Sequence, residues 1–261
     1  MSMSEEIKDD PRIGVAYYIL YTMQMAAVLY ITKGLYWLNP GIEVMQVTSM
    51  KALIACIVLI VFLNKDLKYV MYDRIDNECK WPLIFKTIQT TASIFIQYNA
   101  MKYFTVSITG VIYGLTPLIA CALAAVFLKE KMTLWTITSV IIVLSCVLMI
   151  LLGAKGEEEQ AMESNMLALV LLCMQPFLIA GGMVAARSIK QIHPLTVTCY
   201  ANLLLGIVSF IGVIAFDHID YSFIPELSIS SWVLIGLAGM FTISENTLKF
   251  LAFRYEEAAK L

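Results

Sequence analysis

Charge is scarce in this chain. Asp, Glu, Lys and Arg make up 15% of its 261 residues, where a soluble domain carries about a quarter. Histidine is scarcer, with only His193 and His218, both in polar connecting segments. No HExxH pair exists, which argues against an intramembrane zinc protease. The six cysteines show no CxxC or Cys/His spacing. Cys56, Cys121, Cys146, Cys173 and Cys199 fall in apolar runs and Cys79 in a charged loop. They read as small buried hydrophobes, with no disulfide framework and no metal set. No glycine-rich phosphate loop followed by Lys-Ser/Thr is present, which argues against direct ATP use. No basic tract suggests nucleic acid as a partner. No nucleophile–base constellation points to an enzyme, and no cofactor is implied.

What remains is apolar: 60% of the residues are hydrophobic. That excess fits helices that face lipid outside and one another inside. Eight runs are long enough to cross roughly 30 Å of hydrocarbon: Ile13–Leu35, Val44–Leu63, Pro82–Tyr103, Val106–Leu128, Leu134–Leu152, Met166–Ala186, Leu195–Phe216 and Trp232–Phe253. Asn39-Pro40-Gly41 divides the first two. Thr133 and Ser164 are expected to cap the fifth and sixth. The leading segment "MSMSEEIKDDPR" lacks a positive start and a small-residue cleavage site, so residues 1–12 read as a retained cytosolic tail.

Basic residues set the orientation. With the N-terminus inside, the inner segments hold Lys8, Arg12, Lys65, Lys68, Arg74, Lys80, Lys129, Lys131, Arg187, Lys190, Arg254 and Lys260. The outer segments hold only Lys33, Lys102 and Lys155. Twelve against three favours a cytosolic N-terminus, and eight spans return the C-terminus inside. Which membrane is crossed is not written in these residues.

The halves of the chain echo each other. "KGLYWLNP" at Lys33 aligns with "RSIKQIHP" at Arg187, offset by 154 residues; "NAMKYFTVS" at Asn99 aligns with "LAFRYEEAA" at Leu251, offset by 152. Met23-Gln24 beside Met174-Gln175 is a weaker third echo. Five spans lie between copies, so the second copy would run in the opposite sense. Inverted repeats of this kind are a transporter signature; chance similarity between apolar helices is the alternative.

Polar residues inside the spans mark a path. The third run carries Lys86, Thr90, Ser93 and Gln97 at spacings of four, three and four, with Gln89 and Asn99 on neighbouring faces. Such a stripe is disfavoured against lipid and suits a water-filled cavity or a network between helices. The eighth run holds Glu245 and Lys249, one turn apart in the favoured order for a pair. At an offset of 152 they fall opposite Ser93 and Gln97, so both stripes are expected to face one central cavity. Glu245 is the only carboxylate well inside a span and the natural proton-coupling group. Lys51 lies inside the second run, where it either snorkels outward or finds a partner. Gly110 and Gly114 form a GxxxG suited to close helix packing. Thr116-Pro117 breaks the hydrogen-bond ladder, leaving a carbonyl near Tyr113 to be met by another group. Thr90, Ser93, Gln97, Tyr113, Thr116, Glu245 and Lys249 are the candidate substrate-pathway residues; Gly110, Gly114 and Pro117 are the packing residues.

The stretch from Ala100 to Gly153 resembles the EamA domain of the drug/metabolite transporter superfamily. The resemblance rests on Ala100-Met101-Lys102-Tyr103, Thr116-Pro117, Glu130-Lys131, Thr133-Leu134-Trp135 and Gly153. Nucleotide-sugar and sugar-phosphate transporters share that superfamily. The resemblance implies an all-α, polytopic membrane bundle built from an inverted repeat of five plus five helices. It also implies secondary active transport of a small polar solute or metabolite by alternating access, and it allows a homodimer. Residues 13–153 would form a first five-helix repeat, 154–164 an extracytosolic loop, and 165–261 a partial second repeat of three helices. Measured against the ten helices the resemblance implies, roughly 45 residues, about two helices, would be expected beyond Leu261. A non-transporting scaffold or truncated inactive paralogue is the alternative function. A retinal-binding receptor using Lys249 is disfavoured, because Glu245 on the same helix is a poor counter-ion.

Overall fold

A computed structural model of the chain describes residues 11–73, 75–116, 165–189, 192–215, 221–222 and 224–255, with single positions between 118 and 149. The fifth span expected at Leu134–Leu152, the second half of the fourth, the residues 154–164 and the ends of the chain lie largely or wholly outside the described residues. Pro117, Thr133, Ser164 and the Glu130-Lys131 pair also lie outside them.

Seven α-helices are described: α1 (Pro11–Leu38), α2 (Val44–Leu63), α3 (Lys80–Tyr103), α4 (Val106–Tyr113), α5 (Met166–Ser188), α6 (Pro194–Ala215) and α7 (Ile229–Tyr255). No strand occurs among the described residues. Proline opens α1 and α6, where its missing N–H costs nothing and its fixed φ suits the first turn. The α1–α2 turn runs through Asn39-Pro40-Gly41, as the sequence reads, and Glu43 N–H donates to Gln46 Oε1 at 2.7 Å where α2 begins. Thr105 caps α4 by accepting from Ile108 N–H. At α5 the capping position is Asn165, whose carbonyl accepts the first intrahelical bond from Leu169, rather than the expected Ser164.

Helices α2 and α3 turn polar residues inward and large apolar residues outward, beside a buried apolar cluster that includes Leu29, Val47, Ile94 and Leu205. On α2, Gln46, Thr48, Ser49 and Lys51 are buried while Leu53, Ile57, Ile60, Val61 and Phe62 are exposed. On α3, Lys86, Gln89, Thr90, Ser93 and Gln97 are buried while Trp81, Ile84, Phe85 and Ile88 are exposed. A large exposed apolar face has no stable place in water, but lipid accepts it. Four helices, Ile13–Leu38, Val44–Leu63, Met166–Ala186 and Pro194–Ala215, are both long and apolar enough to cross a membrane. Helices α3 and α7, at 24 and 27 residues, have the length, about 36 Å and 40 Å at 1.5 Å per residue, but dilute their hydropathy with inward polar residues.

The helices pack as antiparallel pairs. Helix α1 lies along α7, α3 along α5 and α2 along α6. Helix α2 also packs on α7, and α3 on α6. At the crossing of α2 and α6, Thr48 and Ser209 share a buried hydrogen bond of 2.9 Å. Gly239 lets α7 approach α2 closely: a Cβ there would stand 3.1 Å from Lys51 O and from Ile54 Cγ2. The end of α3 is fastened by α1, because Lys33 Nζ donates to the carbonyls of Met101 and Phe104, each at 3.0 Å. Beside it, Lys102 pairs with Glu43 at 2.8 Å. At the opposite end, Thr196 and Tyr200 of α6 donate to Val70 O and Met71 O, tying down the segment after α2.

Candidate functional site

Three helices carry charge into the middle of the bundle: α2 with Lys51, α3 with Lys86, and α7 with Glu245 and Lys249. Glu245 is the only Asp or Glu within the seven described α-helices. Its carboxylate is within electrostatic reach of Lys249 on its own helix and Lys51 on α2. Lys86 is in turn an electrostatic neighbour of Lys249. Among the described residues no ammonium comes within ion-pair distance of Glu245, and the ion pair found is the peripheral Lys102–Glu43 at 2.8 Å.

Each lysine is held by something other than a counter-charge. Lys51, 1% exposed, sets its ammonium over the Tyr98 ring, 4.1 Å from the centroid, and reaches Thr242 Oγ1 at 3.4 Å. It does not snorkel. Lys249 stands 5.3 Å from the centroid of Tyr21 on α1. Lys86 donates to Gln89 Oε1 at 2.8 Å, and Gln89 Nε2 donates to Ser93 Oγ at 2.8 Å. Gly182 of α5 makes room for this chain: a Cβ there would overlap the Gln89 carboxamide and lie 2.9 Å from Lys86 Nζ.

Thr242, Glu245 and Lys249 follow one face of α7, separated by roughly 4.5 Å and 6 Å along the axis. Glu245 therefore stands one level from the ammonium of Lys51 and one from its own Lys249. Glu245 and Lys249 are enclosed deep in the protein yet keep accessible surface. Helices α3 and α7 share α1, α2, α5 and α6 as neighbours but do not pack closely on each other.

Several buried polar atoms of the bundle have no partner. Gln97 Nε2, Tyr113 OH and Thr116 Oγ1 are unsatisfied, in side chains 7%, 7% and 5% exposed. Tyr113 lies beside Gln175, Tyr21 and Glu245, but no well-formed hydrogen bond reaches its hydroxyl. Gln175 donates to Ser93 O at 2.9 Å and leaves its own Oε1 unpaired. Buried polar groups of this kind are rarely left without a partner.

The expected pathway residues are thus distributed as follows. Thr90, Ser93 and Gln97 lie on the buried face of α3. Ser93 connects through Gln175 to Tyr113, and Tyr113 neighbours Glu245. Helix α4 stops at Tyr113 in a turn through Gly114 and Leu115, just before Thr116. Gly110 is exposed, and a Cβ there would meet nothing within 4 Å; one at Gly114 would meet only its own helix, at Val111 and Gly110. The tight helix contact expected of this GxxxG is not seen among the described residues.

Spacing alone missed Tyr21, Tyr98 and Gln175. The tyrosines are indistinguishable in sequence from interfacial aromatics. Gln175 had one signal, its place in the Met174-Gln175 echo, and it precedes Pro176, which interrupts the bonding of α5 at mid-helix.

The model of the EamA-like transporter family matches residues 12–152. No curated protein matches the chain.

Proposed function

Because the chain belongs to the EamA-like transporter family, whose members are membrane transporters rather than enzymes, we propose that it is a secondary active transporter moving a small polar solute by alternating access. It is a multi-pass membrane protein, and in this reading its N-terminus is cytosolic. Twelve basic residues on that side against three on the other support the orientation.

One observation carries the mechanism. Exchange α1 with α5, α2 with α6 and α3 with α7, and the set of close pairs among these six helices is unchanged. The pair α1·α7 becomes α5·α3, α2·α7 becomes α6·α3, α1·α3 becomes α5·α7, and α2·α6 maps onto itself. That is the packing expected of two inverted copies related by a two-fold axis in the membrane plane, the arrangement in which two halves rock about a shared site. The partner positions Ser93/Glu245 and Gln97/Lys249, 152 residues apart, then line opposite walls of that site. A cavity between α3 and α7 accounts for groups that are deep in the protein and still accessible.

Glu245 is the proton-coupling group in this scheme. It faces Lys51 from α2, Tyr21 from α1, Tyr113 from α4 and Lys249 from its own helix, with Lys86 of α3 beyond Lys249. The test is uptake or efflux of labelled polar solutes in vesicles across a range of pH, in wild type and Glu245→Gln. Saturable transport whose pH dependence vanishes in the variant is expected. Unchanged pH dependence defeats the coupling role. Inserted, folded protein that moves no solute above empty vesicles favours a scaffold.

A further inference from the structure

We propose that Lys33, Glu43 and Lys102 form a latch that shuts one mouth of the central cavity, the outer mouth when the N-terminus is cytosolic. This rests on the alternating-access reading and assigns the contacts that must break for the cavity to open on that side.

The end of α1 and the turn after it stand across that mouth, between α7 and α3. On the α7 side the joint is broad and neutral. Helix α1 lies along α7, a Cβ at Gly34 would stand 3.9 Å from Leu234 Cδ1, and Asn39 Nδ2 donates to Ser231 Oγ at 2.9 Å. On the α3 side α1 packs far less, and the bonds are charged. Lys33 Nζ donates to Met101 O and Phe104 O, each at 3.0 Å. Both carbonyls lie at the C-terminal end of α3, where a helix has no N–H of its own to offer them and its dipole favours a cation. Lys102 crosses the same boundary the other way, donating from α3 to Glu43 Oε1 at 2.8 Å, just ahead of α2.

Two features make this a latch rather than a fixed joint. Its ion pair borders water, with Lys102 24% and Glu43 40% exposed. When the two part, water takes over their hydrogen bonds, so separation costs far less than for a buried pair. The ion pair is also one-sided. Offsets of 154 and 152 carry Lys33 to Arg187 and Lys102 to Arg254, but the match of Glu43 falls on Leu195, Thr196 and Val197, none of them acidic. At that end Thr196 and Tyr200 donate to Val70 O and Met71 O. The carboxylate half of the latch therefore belongs to one mouth alone.

Cysteine accessibility tests this. Gln97 is buried on α3, four residues and about 6 Å from Met101 toward the cavity, so Gln97→Cys reports whether the mouth beside it is open. The full chain in sealed vesicles, Lys102 end outward, is treated with membrane-impermeant methanethiosulfonates of either charge. Labelling is counted above that of the same chain without the reporter. Opening speeds both reagents, whereas a change of local charge speeds one and slows the other. Lys33→Met removes two charge-assisted bonds and should speed both about 10- to 100-fold. Glu43→Gln loses a partly exposed ion pair and should speed both about 2- to 5-fold. Lys33→Arg, and the exchange of Glu43→Lys with Lys102→Glu, should label as slowly as wild type. Tyr200→Phe, which removes a bond at the opposite mouth, should not speed labelling. Uptake of labelled polar solutes is measured in the same vesicles, before and after a short bis-maleimide joins Glu43→Cys to Lys102→Cys; cross-linking should stop it. Unchanged labelling in Lys33→Met and Glu43→Gln that melt as wild type overturns the latch, whether or not solute moves. So does equal acceleration by Tyr200→Phe, or uptake that persists through complete cross-linking. Accelerated labelling in vesicles that move no solute upholds the latch and refutes the transporter reading.

Discussion

The ammonium of Lys51 lies 4.1 Å from the centre of the Tyr98 ring, joining α2 to α3 inside the bundle. Tyr98 is 1% exposed and its hydroxyl has no partner. The ring face, not the hydroxyl, is therefore what Lys51 uses. Tyr98→Phe should melt within about 1 kcal/mol of wild type, whereas Tyr98→Leu should lose about 2 kcal/mol or more, the scale of a desolvated cation–π contact. A double-mutant cycle with Lys51→Met isolates the pair; no coupling between the two sites would rule the contact out as a source of stability.

Glycine tolerance should differ sharply between helices. Gly182→Ala pushes a methyl into Gln89 and against Lys86, so a loss of about 1–3 kcal/mol is expected from overpacking. Gly110→Ala meets open space and should be neutral or stabilising by up to about 1 kcal/mol, since alanine is the better helix former. Thermal melts of the two variants decide; equal losses would contradict the packing described.

Thr48 and Ser209 offer a measure of hydrogen bonding within the bundle. Each hydroxyl also donates to its own helix, Thr48 Oγ1 to Val44 O and Ser209 Oγ to Leu205 O. The interhelical coupling from a Thr48→Val, Ser209→Ala cycle should therefore be modest, about 0.6 kcal/mol and below about 2 kcal/mol.

Glu245→Gln removes the one carboxylate found within the described α-helices while leaving its shape. Uptake by the variant should lose the pH dependence of wild type, measured in vesicles across a range of external pH; an unchanged profile would mean that Glu245 carries no proton in the cycle.

Orientation is testable by labelling. Lys102 and Glu43 lie at one end of the bundle and Lys68 near the other. With a cytosolic N-terminus, Lys102→Cys should react with an impermeant maleimide from outside, and Lys68→Cys only after permeabilisation. The opposite pattern would invert the topology.

Much of the architecture was legible in the residues. Helix α2 begins and ends where the apolar run does, Val44 to Leu63, and the other long helices extend their runs by only a few residues. Apolar length is a one-dimensional property, set by bilayer thickness and helix rise. The polar stripe of α3 was equally legible, because spacings of three and four project to one face whatever surrounds the helix.

What the stripe faces was not. Whether Lys51 reached water or a partner depended on a tyrosine 47 positions along the chain, brought to it by antiparallel packing of other helices. The use of Gly110 and Gly114 also turns on neighbours: the spacing permits close approach, and which helix lies on that face is not given by spacing. By itself the sequence determined that this is a membrane protein of apolar helices with a few charges inside them, since lipid solvation is paid residue by residue along a single strand of chain. Only the tertiary structure decided that those charges come near one another, with Lys51 and Lys249 about Glu245 and Lys86 beyond Lys249. Their approach is fixed by helix pairs far apart in sequence, whose contacts no local pattern records.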